Sequence, residues 1–389
     1  MSPATRSGFD AHMMAIALRL AERGLGRTAP NPSVGSVIAD ETTGTIIARG
    51  WTAPGGRPHA EVEALKRSGR PARGANLYVT LEPCSHHGVT APCAEAIIDA
   101  GIARVVCAIE DPDPRVAGRG LERLRQAGIA VERGLMSREA HWLGAGHILR
   151  VTERRPLVQV KLALAPDGSV PRGAKGRPTW ATSEQSRALG HLMRAQADAI
   201  LVGRRTVIDD DPQLDCRLPG LTDRSPVRVV LARQLVGLQA SRLMQSAGRH
   251  PVWIFCGNGP ETAATAALES AGARIFRVAE IEGELWLPGV MEALVAEGIT
   301  RLLVEGGPMT WAAFSRSGLI DEAVMFQARA QTRRTLPDPA IAQVLGQFIA
   351  TDGLEFCDHR MLIDDDMVVF RRPWRSLKRR SGRSGNALR

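Results

Sequence analysis

Residues 59–93 decide how this chain is organised: they begin with His59-Ala60-Glu61 and end with Pro83-Cys84-Ser85-His86-His87-Gly88-Val89-Thr90-Ala91-Pro92-Cys93. Zinc binds nitrogen and sulfur ligands tetrahedrally, and a catalytic zinc site leaves its fourth position to water. His59, Cys84 and Cys93 would supply three such ligands. Glu61 lies two residues from His59 and is well placed to transfer protons there. The stretch therefore predicts a catalytic zinc centre.

The order of these residues matches zinc deaminases, in which His-x-Glu precedes Pro-Cys and the glutamate is a general acid/base rather than a ligand. That pattern separates its cysteines by two residues, whereas eight separate Cys84 from Cys93. His86 and His87 lie in this longer gap and are alternative ligands. Cys93 is preferred because it begins an apolar helix over residues 93–100, and a helix N-terminus favours a thiolate. A fourth ligand from His86 or His87 would instead indicate structural zinc in a binding scaffold.

The length of 389 residues suggests two domains. We place the boundary at Arg154-Arg155-Pro156 and predict domains over residues 1–150 and 151–373, followed by a basic, disordered tail over 374–389. No apolar run approaches the roughly 20 residues of a membrane span, and Met1–Phe9 lacks the apolar region of a signal peptide. Six cysteines without framework spacing indicate a reducing compartment, so we expect a cytoplasmic protein.

The formal net charge of +9 is concentrated at the end of the chain. Residues 371–389 hold eight Lys or Arg and no acid, so the rest of the chain is close to neutral. This distribution favours a small-molecule substrate, with neither nucleic acid nor a membrane as partner. A nucleic-acid or nucleoside base deaminase with an accessory C-terminal domain is the alternative. It would share the zinc chemistry and use the tail, but would leave the second half without a role.

Strands and helices alternate in both halves, which predicts layered α/β domains. Asp10 is the expected N-cap of the first helix and Gly24 its stop. In the first half we expect helices over residues 10–23, 59–66, 93–100, 121–127 and 138–149, and strands over 33–39, 45–49, 76–80 and 104–109. In the second half we expect helices over 189–197, 289–298 and 309–317, and strands over 157–165, 199–203, 227–231, 252–256 and 301–305.

Two loops follow strand ends, where open α/β sheets bind ligands. Asp111-Pro112-Asp113-Pro114 is a rigid loop in the first half. Glu305-Gly306-Gly307-Pro308 lies between a strand and a helix in the second half, and its glycines would let backbone N–H groups approach a phosphate.

With these residues in view, the chain resembles the family of bifunctional riboflavin-biosynthesis enzymes that combine a pyrimidine deaminase with a reductase, from Ala15 to Phe370. The deaminase half resembles it at residues 28–35 (TAPNPSVG), 59–62 (HAEV), 81–88 (LEPCSHHG) and 111–120 (DPDPRVAGRG). The resemblance implies an N-terminal cytidine-deaminase-like three-layer α/β/α domain with Zn²⁺. It also implies that Asn31 contacts the substrate and that the eight-residue gap is the family's own form.

The second half resembles the family's reductase domain, which is similar in fold to dihydrofolate reductase. Matching segments are residues 160–162 (VKL), 167–168 (DG), 180–183 (WATS), 194–196 (RAQ), 206–207 (TV), 210–212 (DDP) and 304–308 (VEGGP). By resemblance, NADPH binds at Ala163, Trp180, Thr206, Asp210, Gly307, Pro308, Met309 and Thr310. The substrate contacts implied in the same way are Lys161, Arg194, Leu214, Arg217 and Glu305. The sequence departs from the family pattern at Val89, Pro166, Pro178 and Leu231-Ala232-Arg233.

The resemblance implies two successive reactions and a homo-oligomer. The first is zinc-dependent hydrolytic deamination of 2,5-diamino-6-(5-phosphoribosylamino)pyrimidin-4-one, with Glu61 transferring the protons. The second is reduction of the ribosyl group of 5-amino-6-(5-phosphoribosylamino)uracil to ribityl by NADPH. Arg194 and Arg217 are the expected phosphate ligands, because guanidinium donates paired hydrogen bonds to phosphate. Arg204-Arg205 would meet the additional ribose phosphate of NADPH.

Overall fold

The computed structural model describes residues 3–69, 72–86, 91–170, 182–259, 263–329, 346, 350 and 352–373. The chain divides into two compact units, Met1–Arg154 and Arg155–Arg389. In the described part of the chain, no helix combines the length and the hydropathy needed to cross a membrane. His87, Val89, Pro178, Trp180 and the predicted disordered tail over 374–389 lie outside the described residues.

The first unit is built on a five-stranded sheet with strand order β2-β1-β3-β4-β5. Strand β1 pairs antiparallel with β2 and with β3, whereas β3, β4 and β5 are parallel. Apolar residues of the sheet and the helices that pack on it form one continuous core. The elements are α1 (Pro3–Glu22), β1 (Gly35–Asp40), β2 (Thr45–Trp51), α2 (Ala60–Ser68), β3 (Asn76–Val79), α3 (Cys93–Asp99), β4 (Arg104–Cys107), α4 (Arg119–Gln126), β5 (Ala130–Arg133) and α5 (Ser137–Glu153).

The expected start of α1 at Asp10 was wrong. The helix begins at Pro3, so Asp10 lies in its interior rather than at its N-cap. Its carboxylate accepts hydrogen bonds from Tyr78 Oη at 2.6 Å and from Arg104 Nη1 and Nη2 at 3.0 and 2.6 Å. A buried guanidinium requires a paired carboxylate. Asp10 therefore neutralises the buried Arg104 in the core of the unit and does not cap the helix.

Two glycines allow helices to lie directly against this sheet. A Cβ at Gly35 would lie 1.9 Å from the carbonyl oxygen of Ala17 in α1, and one at Gly50 would lie 2.2 Å from that of Ala60 in α2. No side chain fits such distances, so glycine is required at both positions. The second contact fixes the N-terminus of α2 beside β2, and it thereby positions His59 and Glu61.

The second unit is built on a nine-stranded sheet with order β10-β9-β8-β7-β13-β6-β14-β16-β15. The strands from β10 to β14 in this order are parallel, and β16 and β15 continue the sheet antiparallel. The elements are β6 (Leu157–Leu164), α6 (Glu184–Gln196), β7 (Ala199–Gly203), α7 (Arg204–Asp210), β8 (Val227–Leu231), α8 (Arg242–Gln245), β9 (Val252–Cys256), α9 (Ala263–Ser270), β10 (Ala273–Arg277), β11 (Glu280–Ile281), β12 (Glu284–Leu285), α10 (Leu287–Ala296), β13 (Arg301–Val304), α11 (Pro308–Arg316), β14 (Glu322–Ala328), β15 (Glu355–Met361) and β16 (Asp365–Arg371).

Strand β13 separates β6 from β7, although β6 and β7 are consecutive along the chain. After β6 the chain crosses the position of β13 to form β7. After β13 it crosses β6 in the opposite direction to form β14. Such a change of direction is a topological switch point, and open α/β sheets bind ligands outside the carboxyl ends of the strands that flank it. The carboxyl ends of β6, β13 and β7 are Leu164, Val304 and Gly203.

Candidate active sites

Three potential metal ligands meet in the first unit. The ligand atoms of His59, Cys84 and Cys93 all lie within 4.8 Å of one another. His59 Nδ1 lies 3.3 Å from Cys93 Sγ and 3.6 Å from Cys84 Sγ. Zn–N bonds of about 2.0 Å and Zn–S bonds of about 2.3 Å in a tetrahedron separate neighbouring ligand atoms by about 3.5 Å. Both the donor set and the spacing therefore fit a zinc ion.

The other histidines of the long gap do not complete this cluster in the described part of the chain. His86 is not among the clustered ligands, and His87 lies outside the described residues. A structural zinc needs four protein ligands. Among the described residues the cluster has three ligands, which is the number that a catalytic zinc site uses.

Local structure explains how each ligand reaches the cluster. His59 is the N-cap of α2, with extended backbone, rather than part of its first turn. Cys84 follows β3, and Cys93 is the first residue of α3. The Cys93 backbone N–H donates to Cys84 Sγ at 3.3 Å. Hydrogen bonds from Cys93, together with His59, lower the pKa of the Cys84 thiol to about 4, which favours the thiolate that binds metal.

Glu61 occupies the first turn of α2, and only 3% of its surface is exposed. Burial raises the pKa of Glu61 to about 7. A carboxyl group with a pKa near the operating pH both accepts and donates protons readily. Glu61 therefore has the environment of a general acid/base.

Sequence analysis missed a second buried carboxylate, Glu82, which precedes Cys84 by two residues. Its oxygens accept backbone N–H groups from four residues at 2.9–3.3 Å: Asp111, Gly118, Gly120 and Leu121. Glu82 therefore ties the Cys84 turn to the loop after β4 and to the start of α4. The sequence signal that could have identified Glu82 is an acidic residue directly after the apolar segment that ends at Leu81.

In the first unit, Asn31 and the loop that begins at Asp111 are both held by hydrogen bonds to other parts of the unit. Asn31 Nδ2 donates to the carbonyl oxygen of Gly56 at 3.0 Å, which fixes the segment just before His59. Asp111 is buried, and its Oδ1 lies 2.9 Å from Nε2 of His147 on α5. No sequence pattern had singled out His147, because its partner lies 36 residues away.

In the second unit, Glu305 immediately follows β13 and pairs with Arg194 of α6. Arg194 Nε and Nη2 donate to Glu305 Oε1 and Oε2, both at 2.9 Å, and Lys161 Nζ of β6 lies 3.6 Å from Oε2. Burial alone would raise the pKa of Glu305, but the charges of Arg194 and Lys161 outweigh it and lower the pKa to about 2. Glu305 is therefore ionised throughout the neutral range.

The two arginines expected to bind phosphate have different environments. Arg194 Nη1 donates to the carbonyl oxygen of Asp215 at 3.0 Å. All three guanidinium nitrogens of Arg194 therefore donate to protein oxygens. The Arg217 side chain is 47% exposed, and its Nη1 donates to Gln213 Oε1 at 2.9 Å. Leu214 of the same segment is buried and has φ +56°. Arg217 is the more available cation of the two.

The turn after β13 fits an anionic cofactor. A Cβ at Gly306 would lie 2.5 Å from Thr310, and one at Gly203 would lie 2.8 Å from Thr310 Oγ1, so Thr310 packs the turn against the end of β7. Among the described residues, a Cβ at Gly307 would meet only Thr206 Oγ1, at 3.9 Å. Space is therefore left beside the N-terminus of α11, where backbone N–H groups attract phosphate.

The remaining predicted cofactor positions are distributed around this turn. Ala163 lies near the end of β6 and is half-buried, whereas Asp210 ends α7 and is exposed. Pro308 begins α11, and the side chain of Met309 is 75% exposed. Ala163 thus lies on a strand that flanks the switch point, and Asp210, Pro308 and Met309 lie on the helices that follow β7 and β13. Trp180 cannot be placed because it lies outside the described residues.

Comparison with known proteins assigns a family model to each unit. The cytidine and deoxycytidylate deaminase zinc-binding region matches residues 8–109, and the RibD C-terminal domain matches residues 156–329. The riboflavin biosynthesis protein RibD of Escherichia coli strain K12 is 41% identical over 335 residues, which cover 82% of this chain and 87% of the relative. The RibD of Aquifex aeolicus is 38% identical over 82% of this chain and 86% of its own length.

Two solved structures agree over almost the whole chain. RibD of Acinetobacter baumannii has a TM-score of 0.77 at 31% identity, covering 94% of this chain and 99% of its own. The Thermotoga maritima diaminohydroxyphosphoribosylaminopyrimidine deaminase/5-amino-6-(5-phosphoribosylamino)uracil reductase has a TM-score of 0.76 at 31% identity, with the same coverage. The predicted fold class is thereby confirmed: a cytidine-deaminase-like domain is followed by a dihydrofolate-reductase-like domain.

Proposed function

The chain belongs to the RibD family of bifunctional riboflavin-biosynthesis deaminase/reductases, and on that premise we propose that its first unit deaminates a phosphoribosylamino-pyrimidine that its second unit then reduces with NADPH. The substrates are those in the name of the Thermotoga maritima relative: the diaminohydroxy phosphoribosylaminopyrimidine and 5-amino-6-(5-phosphoribosylamino)uracil. The observation that carries the proposal is the three-ligand cluster of His59, Cys84 and Cys93 with buried Glu61 beside His59.

In the deaminase unit, His59, Cys84 and Cys93 would hold the zinc ion. Zinc bound there would supply Lewis acidity, which lowers the pKa of water far enough to give hydroxide at neutral pH. Glu61 accepts one proton from the attacking water and passes it to the pyrimidine ring nitrogen. It then takes the remaining hydroxyl proton of the adduct and gives it to the amino group, which leaves as ammonia while the carbonyl forms. Its burial suits this cycle, because a carboxyl group with a pKa of about 7 alternates between both protonation states at neutral pH.

In the reductase unit, the ends of β6, β7 and β13 surround both ligands. When bound, NADPH would supply the hydride that reduces the former anomeric carbon of the opened ribose. Ala163, Thr206, Asp210 and the turn from Gly307 to Thr310 would hold the cofactor. Lys161 and the Glu305–Arg194 pair orient the ribosyl group, because their charges meet beside the carboxyl end of β13. Leu214 and Arg217 contact the substrate from the loop after α7.

The preference for NADPH over NADH rests on Arg204 and Arg205 at the start of α7. Arg204 Nε and Nη2 donate to the carbonyl oxygen of Val236 at 3.2 and 2.7 Å, which holds the side chain beside the end of β8. Arg205 is exposed, and its partner among the described residues is Asp209 of its own helix. An exposed pair of this kind contributes little and exchanges readily for a phosphate.

The double variant Arg204→Ala/Arg205→Ala tests this preference. We expect the KM for NADPH to rise at least about 10-fold, the loss that one or two charge-assisted hydrogen bonds predict, with the KM for NADH unchanged. Arg274→Ala is the matched control, because Arg274 is an exposed arginine paired with Glu297 at the edge strand β10. An unchanged KM for NADPH would show that Arg204 and Arg205 do not bind its additional phosphate.

The function itself is tested with the purified full chain in an assay that follows ammonia release and NADPH oxidation separately. Given the diaminopyrimidine substrate, the chain should release ammonia and then oxidise NADPH. A zinc chelator should stop ammonia release, while NADPH oxidation on already deaminated substrate continues. If ammonia release is insensitive to complete zinc removal, the assignment of the first unit is wrong.

A further inference from the structure

An open pocket lies beside β2, an edge strand of the five-stranded sheet in the first unit. Its volume is about 420 Å³, within the range of about 300–1,000 Å³ that is usual for small-molecule sites. Three arginines and Trp51 line it, together with an apolar wall that includes Leu20, Ile46 and Ile47. Among the described residues, its lining includes neither a zinc ligand nor Glu61. The pocket is therefore separate from the zinc site.

Trp51 holds two of the three arginines in place. The Cζ atoms of Arg23, which follows α1, and Arg67 of α2 lie 5.1 and 4.8 Å from the centroid of the Trp51 ring. A guanidinium at this distance is attracted to the ring. Trp51 itself is half-buried at the end of β2. Side chains that are held before a ligand arrives lose less conformational freedom when they bind it.

The positive charges of the pocket are not balanced by its surroundings. Arg23 and Arg49 are exposed, and among the described residues neither lies within ion-pair distance of a carboxylate. Arg67 pairs with Glu63, one turn earlier in α2, at 2.7 Å on the surface. An exposed pair of this kind contributes little and exchanges readily for a phosphate. The pocket therefore offers three guanidinium groups to an anion.

The same residues disfavour a protein partner at this edge. Arg67 Nη1 donates to the carbonyl oxygen of Arg49 on β2 at 3.0 Å. A charged side chain that covers an edge strand opposes pairing with a further strand. A second copy docked here about a two-fold axis would bring the same arginines of both chains together, and like charges that face each other repel. These contacts favour a small anion as the occupant.

We propose that this pocket binds a phosphate monoester of nucleotide size. The phosphate accepts hydrogen bonds from Arg23, Arg49 and Arg67, because guanidinium donates paired hydrogen bonds to phosphate oxygens. The organic part lies against the apolar wall beside the arginines. Inorganic phosphate would fill a small part of the volume and would leave this wall exposed. Uridine 5′-monophosphate carries both parts and is the probe for the site.

The test is calorimetric titration of the full chain with uridine 5′-monophosphate. Wild type should bind it. The double variant Arg23→Gln/Arg49→Gln keeps polar side chains of similar length without their charge, and it should bind at least about 100-fold more weakly, the effect of two lost charge-assisted hydrogen bonds. Uridine, which lacks the phosphate, should bind equally to both proteins. Inorganic phosphate should bind wild type more weakly than uridine 5′-monophosphate does.

Arg125→Gln/Arg138→Gln is the matched control, because it removes the same charge from two exposed arginines of the same unit that do not line the pocket. It should bind uridine 5′-monophosphate as wild type does. A zinc content equal to that of wild type reports in each variant that the first unit is folded.

The inference is overturned if wild type does not bind uridine 5′-monophosphate, or if the pocket variant binds it as tightly as wild type, since the nucleotide would then occupy an active site. Equal losses in the pocket variant and the control would show attraction to net charge alone. If inorganic phosphate binds as tightly as the nucleotide, the organic part has no role. A change in oligomeric state measured by sedimentation, with unchanged affinity for the nucleotide, would assign this edge to contacts between copies.

Discussion

Glu305 and Arg194 are joined by two parallel hydrogen bonds of 2.9 Å, and the Glu305 side chain is only 8% exposed. The pair spans 111 residues of sequence and connects the end of β13 to α6. Removing one partner of a buried ion pair leaves the other charge buried without compensation. The pair therefore holds the end of β13 to α6 as well as shaping the site.

Glu305→Gln should lower the free energy of unfolding of the second unit by about 3–5 kcal/mol, because Arg194 then remains buried without an anion. Urea denaturation of the full chain, followed by the fluorescence of its tryptophans, measures the change. Glu297→Gln is the matched control, since Glu297 pairs with Arg274 on the surface, and an exposed pair contributes at most about 1 kcal/mol. Equal losses in the two variants would show that the Glu305 pair is not effectively buried.

The contribution of Glu305 should disappear in acid. Its pKa in the folded protein is about 2, below the ordinary value of 4.5. A lowered pKa in the folded state contributes stability above the unfolded-state value, and this stability is lost as the pH falls through the folded-state value. The stability difference between wild type and Glu305→Gln should therefore be constant from pH 7 to 5 and shrink between pH 4.5 and 2. A difference that grows in this interval would contradict the assigned charge state.

Gly120→Ala should weaken zinc binding without touching a zinc ligand. A Cβ at Gly120 would lie 1.9 Å from the carbonyl oxygen of Pro83, next to Cys84, and 3.2 Å from Glu82 Oε1. The Cys84 turn would have to move, and disturbing the groups that support a metal ligand typically costs 10–100-fold in affinity. Competition with a chromogenic zinc chelator measures that affinity.

Gly144→Ala is the control for this substitution. Its Cβ would meet only the side chains of Ile148 and Ile109, at 3.7 and 3.8 Å. Alanine in a helix interior is favoured over glycine by about 1 kcal/mol, so Gly144→Ala should bind zinc as wild type does. Equal zinc affinities for wild type and Gly120→Ala would show that the turn can absorb the added methyl group.

How much of the site could be predicted from sequence depends on the distance between its partners. His59, Glu61, Cys84 and Cys93 lie in one stretch with a recognisable order, so their chemistry and spacing could be interpreted together before any fold was known. Alternating strands and helices likewise predicted the α/β class, because buried parallel strands are short apolar segments.

The missed features depend on partners that are remote in sequence. In the sequence Asp10 resembles a helix cap, and only the structure shows that it pairs with Arg104, 94 residues away. The pairing of Arg194 with Glu305, 111 residues away, is likewise invisible without the sheet order. His147 belongs to no local pattern, and a hydrogen bond to a distant loop alone gives it a role. Strand β5, whose residues are mostly exposed, lacks the apolar signal that identifies the central strands.

The most direct test of the account compares Glu61→Gln with wild type for bound zinc and for the rate of ammonia release. Glutamine keeps the shape of the side chain but cannot accept or pass on a proton. Glu63→Gln is the matched control, since Glu63 lies in the same turn of α2 and pairs with Arg67 on the surface. Zinc content measured by mass spectrometry should be the same in all three proteins.

With equal zinc, Glu61→Gln should release ammonia at least about 100-fold more slowly than wild type, the usual scale of general acid–base catalysis. Glu63→Gln should match wild type, and all three should oxidise NADPH equally on deaminated substrate. Near-normal ammonia release by zinc-loaded Glu61→Gln would contradict the assignment of Glu61 as the group that transfers protons in the first unit.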